Sequence, residues 1–355
     1  MLNFLPFKNH IGLDISDYKI RFFQLHPSRR RAYRVHSFGE INTQPNTIQG
    51  GIIRDEEAIT SLIGELIKKP HYGKLDTTFT NASLPERQIF IKTVLIPTVP
   101  ANELKGAVTW AIEQNIPIQL ETANFDWQVL GPASEEQEEK LRVLVSVAPK
   151  NLVDSYARVI SAAGLELINL ENESIAIARC LIDQKSSSQK PLLVIDVGKS
   201  RTNLMISSSS KIEFTFTVDV SGQEMTDAIA NGIKVNIDDA EKAKIIFGLD
   251  QRKAHGKVRQ IIKPIIDRLV FQIKDCIEYY NTYSGTDSGI NTLLLTGSVS
   301  RMLGLPEYLR EATGRTVIIG DPWCNVSKAR DKNVSANIDY LSYTTAIGLS
   351  LKKFY

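Results

Sequence analysis

Gly12-Leu13-Asp14-Ile15-Ser16, followed by Asp17-Tyr18-Lys19-Ile20-Arg21-Phe22, has a counterpart in the middle of the chain. That counterpart is Val194-Ile195-Asp196-Val197-Gly198, followed by Lys199-Ser200-Arg201-Thr202-Asn203-Leu204. With Asp14 aligned on Asp196, the flanks agree: apolar, Asp, apolar, small residue, polar turn, second apolar run. Each copy predicts a strand, a tight turn and a second strand, with one carboxylate where an apolar run stops. Two such turns facing each other make a phosphate clamp. Backbone N–H groups in the turns hold phosphate oxygens, and the two Asp hold a hydrated Mg²⁺. A single copy is most often an ordinary hairpin or strand-to-helix turn. The matched second copy is what points to an internally duplicated nucleotide-binding fold.

The bulk properties narrow the remaining classes. At 355 residues the chain can hold two or three domains. It is 43% hydrophobic and 23% charged, with a mean hydropathy of −0.13, as expected of a globular protein. A net charge of +2 gives no electrostatic case for nucleic acid. No apolar run reaches the roughly 18 residues of a membrane span. Met1 to His10 lacks the pattern of a signal peptide, and its Leu2, Phe4, Leu5 and Phe7 read as a first strand ahead of the alternative, a contact with a membrane or a partner. Cys180, Cys276 and Cys324 are odd in number and widely spaced, which argues for a reducing compartment and against disulfides or a zinc motif. The five His show no metal-binding spacing such as HExxH, and no nucleophile elbow occurs.

Along the chain, strands and helices alternate, which is an α/β pattern. A hairpin is expected over 10–25, with the basic cluster Arg29-Arg30-Arg31 and Arg34 in the next turn. An amphipathic helix follows at 55–69. Strands at 76–82 and 88–96, a helix from Pro100 to Asn115, strands at 122–130 and 141–148 and a helix at 151–163 read as one inserted subdomain. Glu135 to Lys140 is its charged hairpin tip, and 186–191 is a linker. Ser221-Gly222-Gln223-Glu224 is a capping box that opens a helix. Further helices are expected at 238–247 and at 257–282, the latter kinked by Pro264 or holding it in its first turn. Thr292 to Ser298 is a buried strand entering a glycine turn, where Thr296-Gly297-Ser298 lets a flat ligand approach the backbone.

These stretches together resemble the actin-like ATPase superfamily. Within it, the chain resembles the PilM family of type IV pilus assembly proteins, relatives of the FtsA cell-division proteins. Besides the two Asp motifs, the resemblance rests on Ala107 to Ile118, with its Trp110, Glu113 and Ile116-Pro117, and on Ser221-Gly222. It also rests on Ala240-Glu241-Lys242-Ala243-Lys244 with Phe247-Gly248, on Leu295 to Ser298 with Gly304-Leu305, and on Asp321-Pro322-Trp323. The implied fold is a two-lobe, ribonuclease H-like α/β ATPase fold with a small inserted α+β subdomain. The implied parts are 1–77 with 169–190 and 336–355 (subdomain 1A), 78–168 (inserted 1C), 191–224 with 285–335 (2A) and 225–284 (2B).

The resemblance implies ATP and Mg²⁺ as ligands. Asp14 and Asp196 would organise the metal. Ser16, Arg21, Gly198, Lys199 and Thr202 would line the phosphate turns, with Arg21 where the family usually has Lys. Glu241 and Lys244, one helical turn apart, would face the ribose, and Gly297 and Ser298 would back the adenine. Glu171 would orient an attacking water, with Glu173 as its rival. Ser16 and Thr296 stand where the family usually has Gly, so at most weak ATPase activity is expected. The implied role is a cytoplasmic scaffold, peripheral to the inner membrane, reached indirectly through a partner. It would hold the N-terminal peptide of PilN in a groove whose walls include Trp110 and the strand near 88–96, and would contact other pilus platform proteins, with self-association possible. The alternatives are an FtsA-like division protein, which needs an amphipathic C-terminal anchor beyond Tyr355, and a small-molecule kinase.

Overall fold

The computed structural model describes residues 9–28, 32–132, 139–183, 190–208, 211–284, 289–326 and 339–353. Leu2 to Phe7, Arg29 to Arg31, Glu135 to Glu138 and most of the 186–191 linker lie outside the described residues.

The first Asp motif forms β1 (Ile11–Ile15) and β2 (Lys19–Ser28), an antiparallel hairpin in which Asp14 pairs with Arg21. Its turn is closed by the Ser16 N–H and Oγ, both donating to the Lys19 carbonyl at 3.0 and 2.8 Å. β3 (Ala32–Asn42) extends the meander, and β4 (Ile48–Gln49) and β5 (Ile52–Ile53) form a small ribbon. α1 (Glu56–Lys68) starts where the Asp55 carboxylate accepts the Ala58 N–H, and buries Ile59, Ile63 and Leu66. β6 (Phe79–Leu84) then enters parallel to β1.

The chain next builds β7 (Phe90–Pro97), α2 (Leu104–Asn115), β8 (Ala123–Pro132) and β9 (Lys140–Pro149). These make a separate sheet, ordered β7-β9-β8, with its own core of Val94, Ile96, Val108, Ile112, Val143 and Val145. α3 (Lys150–Ala162) and β10 (Glu166–Asn172) return to the first lobe, whose sheet order is β10-β6-β1-β2-β3. The insert therefore spans β7 to β9, shorter at both ends than the 78–168 read from sequence. β6 hydrogen-bonds to β1, and Leu152, Tyr156 and Ile160 of α3 pack in the core beneath that sheet.

α4 (Glu173–Leu181), capped by Asn172, leads to the second lobe. There the second Asp motif forms β11 (Leu192–Val197) and β12 (Thr202–Ser208), with Asp196 opposite Asn203. β13 (Lys211–Val218), α5 (Gly222–Ile233), α6 (Ile237–Phe247) and α7 (Lys257–Ser284) follow, and Pro264 is accommodated inside α7. β14 (Thr292–Thr296), α8 (Leu305–Thr313) and β15 (Thr316–Ile319) complete the sheet β13-β12-β11-β14-β15. Read from its other end, this order repeats the first lobe. In each, an Asp-bearing central strand has its hairpin partner on one side and two parallel strands on the other. The duplication seen in two short motifs thus extends to whole sheets.

α9 (Thr344–Ser350) lies with α4 between the two sheets, in a core shared by Phe23, Phe38, Ile177, Val194, Met205, Leu294 and Ile347. A Cβ at Gly348 would stand 1.9 Å from the Ala176 carbonyl oxygen, and one at Gly12 would stand 2.1 Å from the Ala346 carbonyl oxygen. Backbone meets backbone at both points, so no side chain fits. Gly348→Ala should cost at least about 3 kcal/mol, because the obstacle is main chain rather than a movable side chain. Urea unfolding of the variant checks this.

Candidate functional site

A cleft of about 870 Å³ lies between the lobes, with the two Asp-bearing hairpins on opposite walls. From the first lobe, Asp14, Ser16, Tyr18 and Arg21 line it. From the second come Asp196, Gly198, Lys199, Ser200, Arg201 and Asn203, with Glu241 of α6 and Gly297-Ser298 after β14. Glu173, the first residue of α4, also faces it.

The two Asp are unlike surface carboxylates. Asp14 is 7% exposed and accepts a hydrogen bond from Ser83 Oγ at 3.1 Å. Burial pushes its pKa up to about 6 despite the Arg21 charge, and Glu173 adds to the rise. Asp196 is pushed up to about 7 by burial, then by the negative charges of Glu173 and Asp14. Three acids thus share one desolvated region. All-oxygen donors of excess negative charge are what a hard, hydrated divalent cation binds, so the residues fit Mg²⁺.

The turns around these acids are tightly made. The Gly198 N–H donates to the Arg201 carbonyl at 2.9 Å. Gly297 has φ +86°, and a Cβ there would meet Asp196 Oδ1 at 2.4 Å and the Val197 carbonyl at 2.5 Å. Only glycine lets this turn close against the second carboxylate. Lys199 Nζ sits 4.5 Å from the centre of the Tyr18 ring, a cation–π contact across the cleft. Thr296 Oγ1 and Thr344 Oγ1, 3.0 Å apart, link the strand end to α9.

The structure brings together most of the sequence-derived nucleotide-site candidates and displaces three. Glu171 is absent from the cleft lining. Its carboxylate is 6% exposed and pairs with Arg179 through Nη1 at 2.5 Å and Nη2 at 2.9 Å, and with Lys352 at 2.9 Å. Burial raises its pKa, but those two cations outweigh burial and hold it below the ordinary glutamate value. The acid facing the cleft is Glu173. Its Oε1 accepts from Arg201 Nη2 at 2.9 Å, Asn203 Nδ2 at 3.0 Å and the Glu86 N–H at 3.0 Å. Thr202 is fully buried and donates to the Val220 carbonyl at 2.7 Å. Lys244 is 1% exposed and donates to the Gly222 carbonyl, Thr226 Oγ1 and Glu241 Oε2 at 2.8–2.9 Å. It therefore positions Glu241 instead of facing the cleft. Trp110, expected as a peptide contact and not as a cleft residue, stands on the insert, 61% exposed.

Sequence reasoning missed Arg201 and Asn203 as the partners of Glu173. It also missed Glu40, which ion-pairs with Arg21 at 3.0 Å and with Lys19. The one available signal was positional: Arg201 and Asn203 match Lys19 and Arg21 when the two Asp motifs are superposed.

A family model described as type IV pilus assembly protein PilM matches residues 12–354. Among solved structures, a PilM–PilN type IV pilus biogenesis complex aligns with a TM-score of 0.81 at 22% identity, covering 98% of each chain. MreB5 of Spiroplasma citri bound to AMPPNP aligns with a TM-score of 0.54 at 12% identity, covering 94% of this chain and 98% of that one. The cell division protein FtsA of Rhizobium meliloti is 24% identical over 374 residues, 92% of this chain and 81% of its own. Likeness at these identities fixes the fold as actin-like.

Two substitutions separate structural acids from site acids. Glu171→Gln should destabilise the protein by about 3 kcal/mol, because it leaves the half-buried Arg179 charge without its carboxylate. That contribution is present above the ordinary glutamate pKa and is lost as pH falls through the lowered folded value. Asp196→Asn, which removes a crowded and desolvated charge, should leave stability unchanged or higher. Thermal unfolding at neutral pH without ligand distinguishes the two.

Proposed function

The chain belongs to the PilM family of type IV pilus assembly proteins, and from that premise we propose that it is an ATP-binding scaffold that holds the N-terminal cytoplasmic peptide of a PilN-like membrane partner. The observation behind the nucleotide reading is the pair of carboxylates, buried Asp14 and half-buried Asp196, on duplicated turns lining one cleft. The two hairpin turns hold the phosphates through backbone N–H groups other than those of Ser16 and Gly198, which close the turns on Lys19 and Arg201, with Lys199 adding charge. Glu241, fixed by Lys244 and by Thr226 Oγ1 at 2.5 Å, takes the ribose hydroxyls. The adenine lies against Gly297 and Ser298.

Asp14 and Asp196 would hold Mg²⁺, which when bound would neutralise phosphate charge. Glu173 is the acid placed to orient a water. It is ion-paired to Arg201 and held by two further donors, so the site suits a slow switch better than a fast ATPase. In the first turn, Ser16 Oγ is already committed to the Lys19 carbonyl.

Partner binding belongs to the insert. Trp110, Phe90 and Leu95 are large apolar side chains left 61, 41 and 50% exposed there. Such anchors suit the apolar side chains of an extended peptide. The insert is also tied to the second lobe. Thr93 Oγ1 donates to the Glu213 carbonyl at 2.8 Å, Arg142 pairs with the Glu213 carboxylate at 2.5 Å, and Lys211 Nζ donates to the Leu130 carbonyl at 3.0 Å. A nucleotide that draws the lobes together therefore acts on the insert and its peptide groove. No described helix is long and apolar enough to cross a membrane. The proposed place at the cytoplasmic face of the inner membrane comes through the partner.

Titration of a labelled PilN-like N-terminal peptide with and without Mg·ATP tests the reading. Trp110→Ala should weaken peptide binding at least about tenfold, roughly 1.4 kcal/mol. Asp196→Asn should abolish ATP binding and the ATP effect on the peptide while leaving basal peptide affinity intact. Absence of peptide binding in both nucleotide states would overturn the scaffold role.

A further inference from the structure

Outside the cleft, His26, His36 and Asp76 converge on one point. The β2–β3 pairing slips between Gln24 and Leu25: Gln24 opposes Ser37, but Leu25 opposes Val35. His36 is thus the extra residue of a bulge, a device that re-aims a side chain. The result stacks the His36 ring on His26, with centroids 3.7 Å apart and planes 9° from parallel. The segment leading into β6 supplies Asp76, whose Oδ2 lies 3.0 Å from His26 Nε2 and 3.5 Å from His36 Nε2. One donor atom from each residue lies within 4.8 Å of the others. Tetrahedral ligands at about 2.0–2.2 Å from Zn²⁺ stand roughly 3.3–3.6 Å apart, close to the spacings seen.

The surroundings support these ligands. Gln24 is fully buried, and its Nε2 donates to Asp76 Oδ1 at 2.5 Å and lies 3.5 Å from His26 Nε2. Its Oε1 is buried without a hydrogen-bond partner, so the polar network beneath the cluster is incomplete. A backbone hydrogen bond at Lys74 fixes the His36 ring. The Asp76 side chain is 42% exposed, so an ion can enter from solvent.

We propose that His26, His36 and Asp76 form a binding site for a borderline transition cation, Zn²⁺ by its chemistry, with water in the remaining position. Two imidazoles and one carboxylate select such an ion over Mg²⁺ or Ca²⁺, which take all-oxygen sets. Because one ion cannot lie in the planes of two stacked rings at once, binding would require both imidazoles to tilt out of their stack and turn their Nε2 lone pairs onto the ion. Binding would clip the Asp76 segment to the β2–β3 bulge. The same segment carries His71 and Tyr72 into the cleft wall, and Tyr72 exchanges two 3.1 Å backbone hydrogen bonds with Phe38. The ion would therefore stiffen one wall of the cleft without touching its occupant. No sequence motif announces the site, because the two His are ten residues apart and Asp76 lies on a distant segment.

The test uses the full, untagged chain in excess Mg²⁺, so that the cleft carboxylates are masked. Co²⁺ is titrated by its visible absorption, and Zn²⁺ is then added to displace it. One equivalent should bind, and His26→Gln, His36→Gln and Asp76→Asn should each weaken binding at least about 100-fold. His255→Gln, a control for surface imidazoles, should change nothing. If a variant misfolds, imidazole ¹⁵N spectra of the unsubstituted protein replace it, and Zn²⁺ should shift the His26 and His36 rings alone. Absence of stoichiometric binding, binding that survives all three substitutions, or shifts confined to other imidazoles would overturn the site.

Discussion

The contact on which the molecule depends is the crossing of α4 and α9, where Gly348 lies against the Ala176 carbonyl. Helices this close leave no room for a side chain, so the spacing between the two sheets is set by main chain. Gly12 makes the same kind of approach from β1 to α9. The first Asp motif is therefore pinned to the helix that also touches the second lobe through Thr344 and Thr296. With the sheets held at this distance, the two hairpin turns meet across a cleft instead of lying on separate surfaces. The duplication in sequence becomes a clamp only because this crossing is tight.

Buried charge is handled in two ways on either side of that crossing. Glu171 is neutralised by Arg179 and Lys352, and Arg179 also donates to the Gly348 carbonyl at 2.9 Å. The Glu171–Arg179 pair locks α4 to α9, and the group as a whole has no negative charge to spare. Two residues later, Glu173 faces Asp14 and Asp196, with Arg201 as its partner. Here negative charge is in excess and the two Asp pKa values are raised. Folding alone gains nothing from crowding acids in a desolvated cleft, and that is the physical argument for proposing the second cluster as a site for a cation and its phosphates.

Much of this was legible in sequence because it is local. The Asp hairpins, the Ser221 cap, the glycine turn at 297 and the order of elements follow from patterns within about ten residues. What failed was non-local. Glu171 and Glu173 are indistinguishable as letters. Which one faces the cleft depends on the β10 register shift near Leu167 to Asn169 and on the helix starting at Glu173. Thr202 and Lys244 were implied as ligand contacts by the family resemblance, which does not say where a side chain turns. Both satisfy distant carbonyls, of Val220 and Gly222. The strand at 79–84 and the helix at 150–162 were given to the insert because sequence does not say which sheet a strand joins. The same limit hid the His26–His36–Asp76 cluster, which exists only after a bulge and a long-range approach.

Amide hydrogen exchange with and without Mg·ATP tests most directly whether the two motifs act as one clamp. The account predicts that nucleotide slows exchange together in the Ser16 to Lys19 turn and the Gly198 to Arg201 turn, with a single concentration dependence. Protection of one turn alone, or of neither, would contradict it.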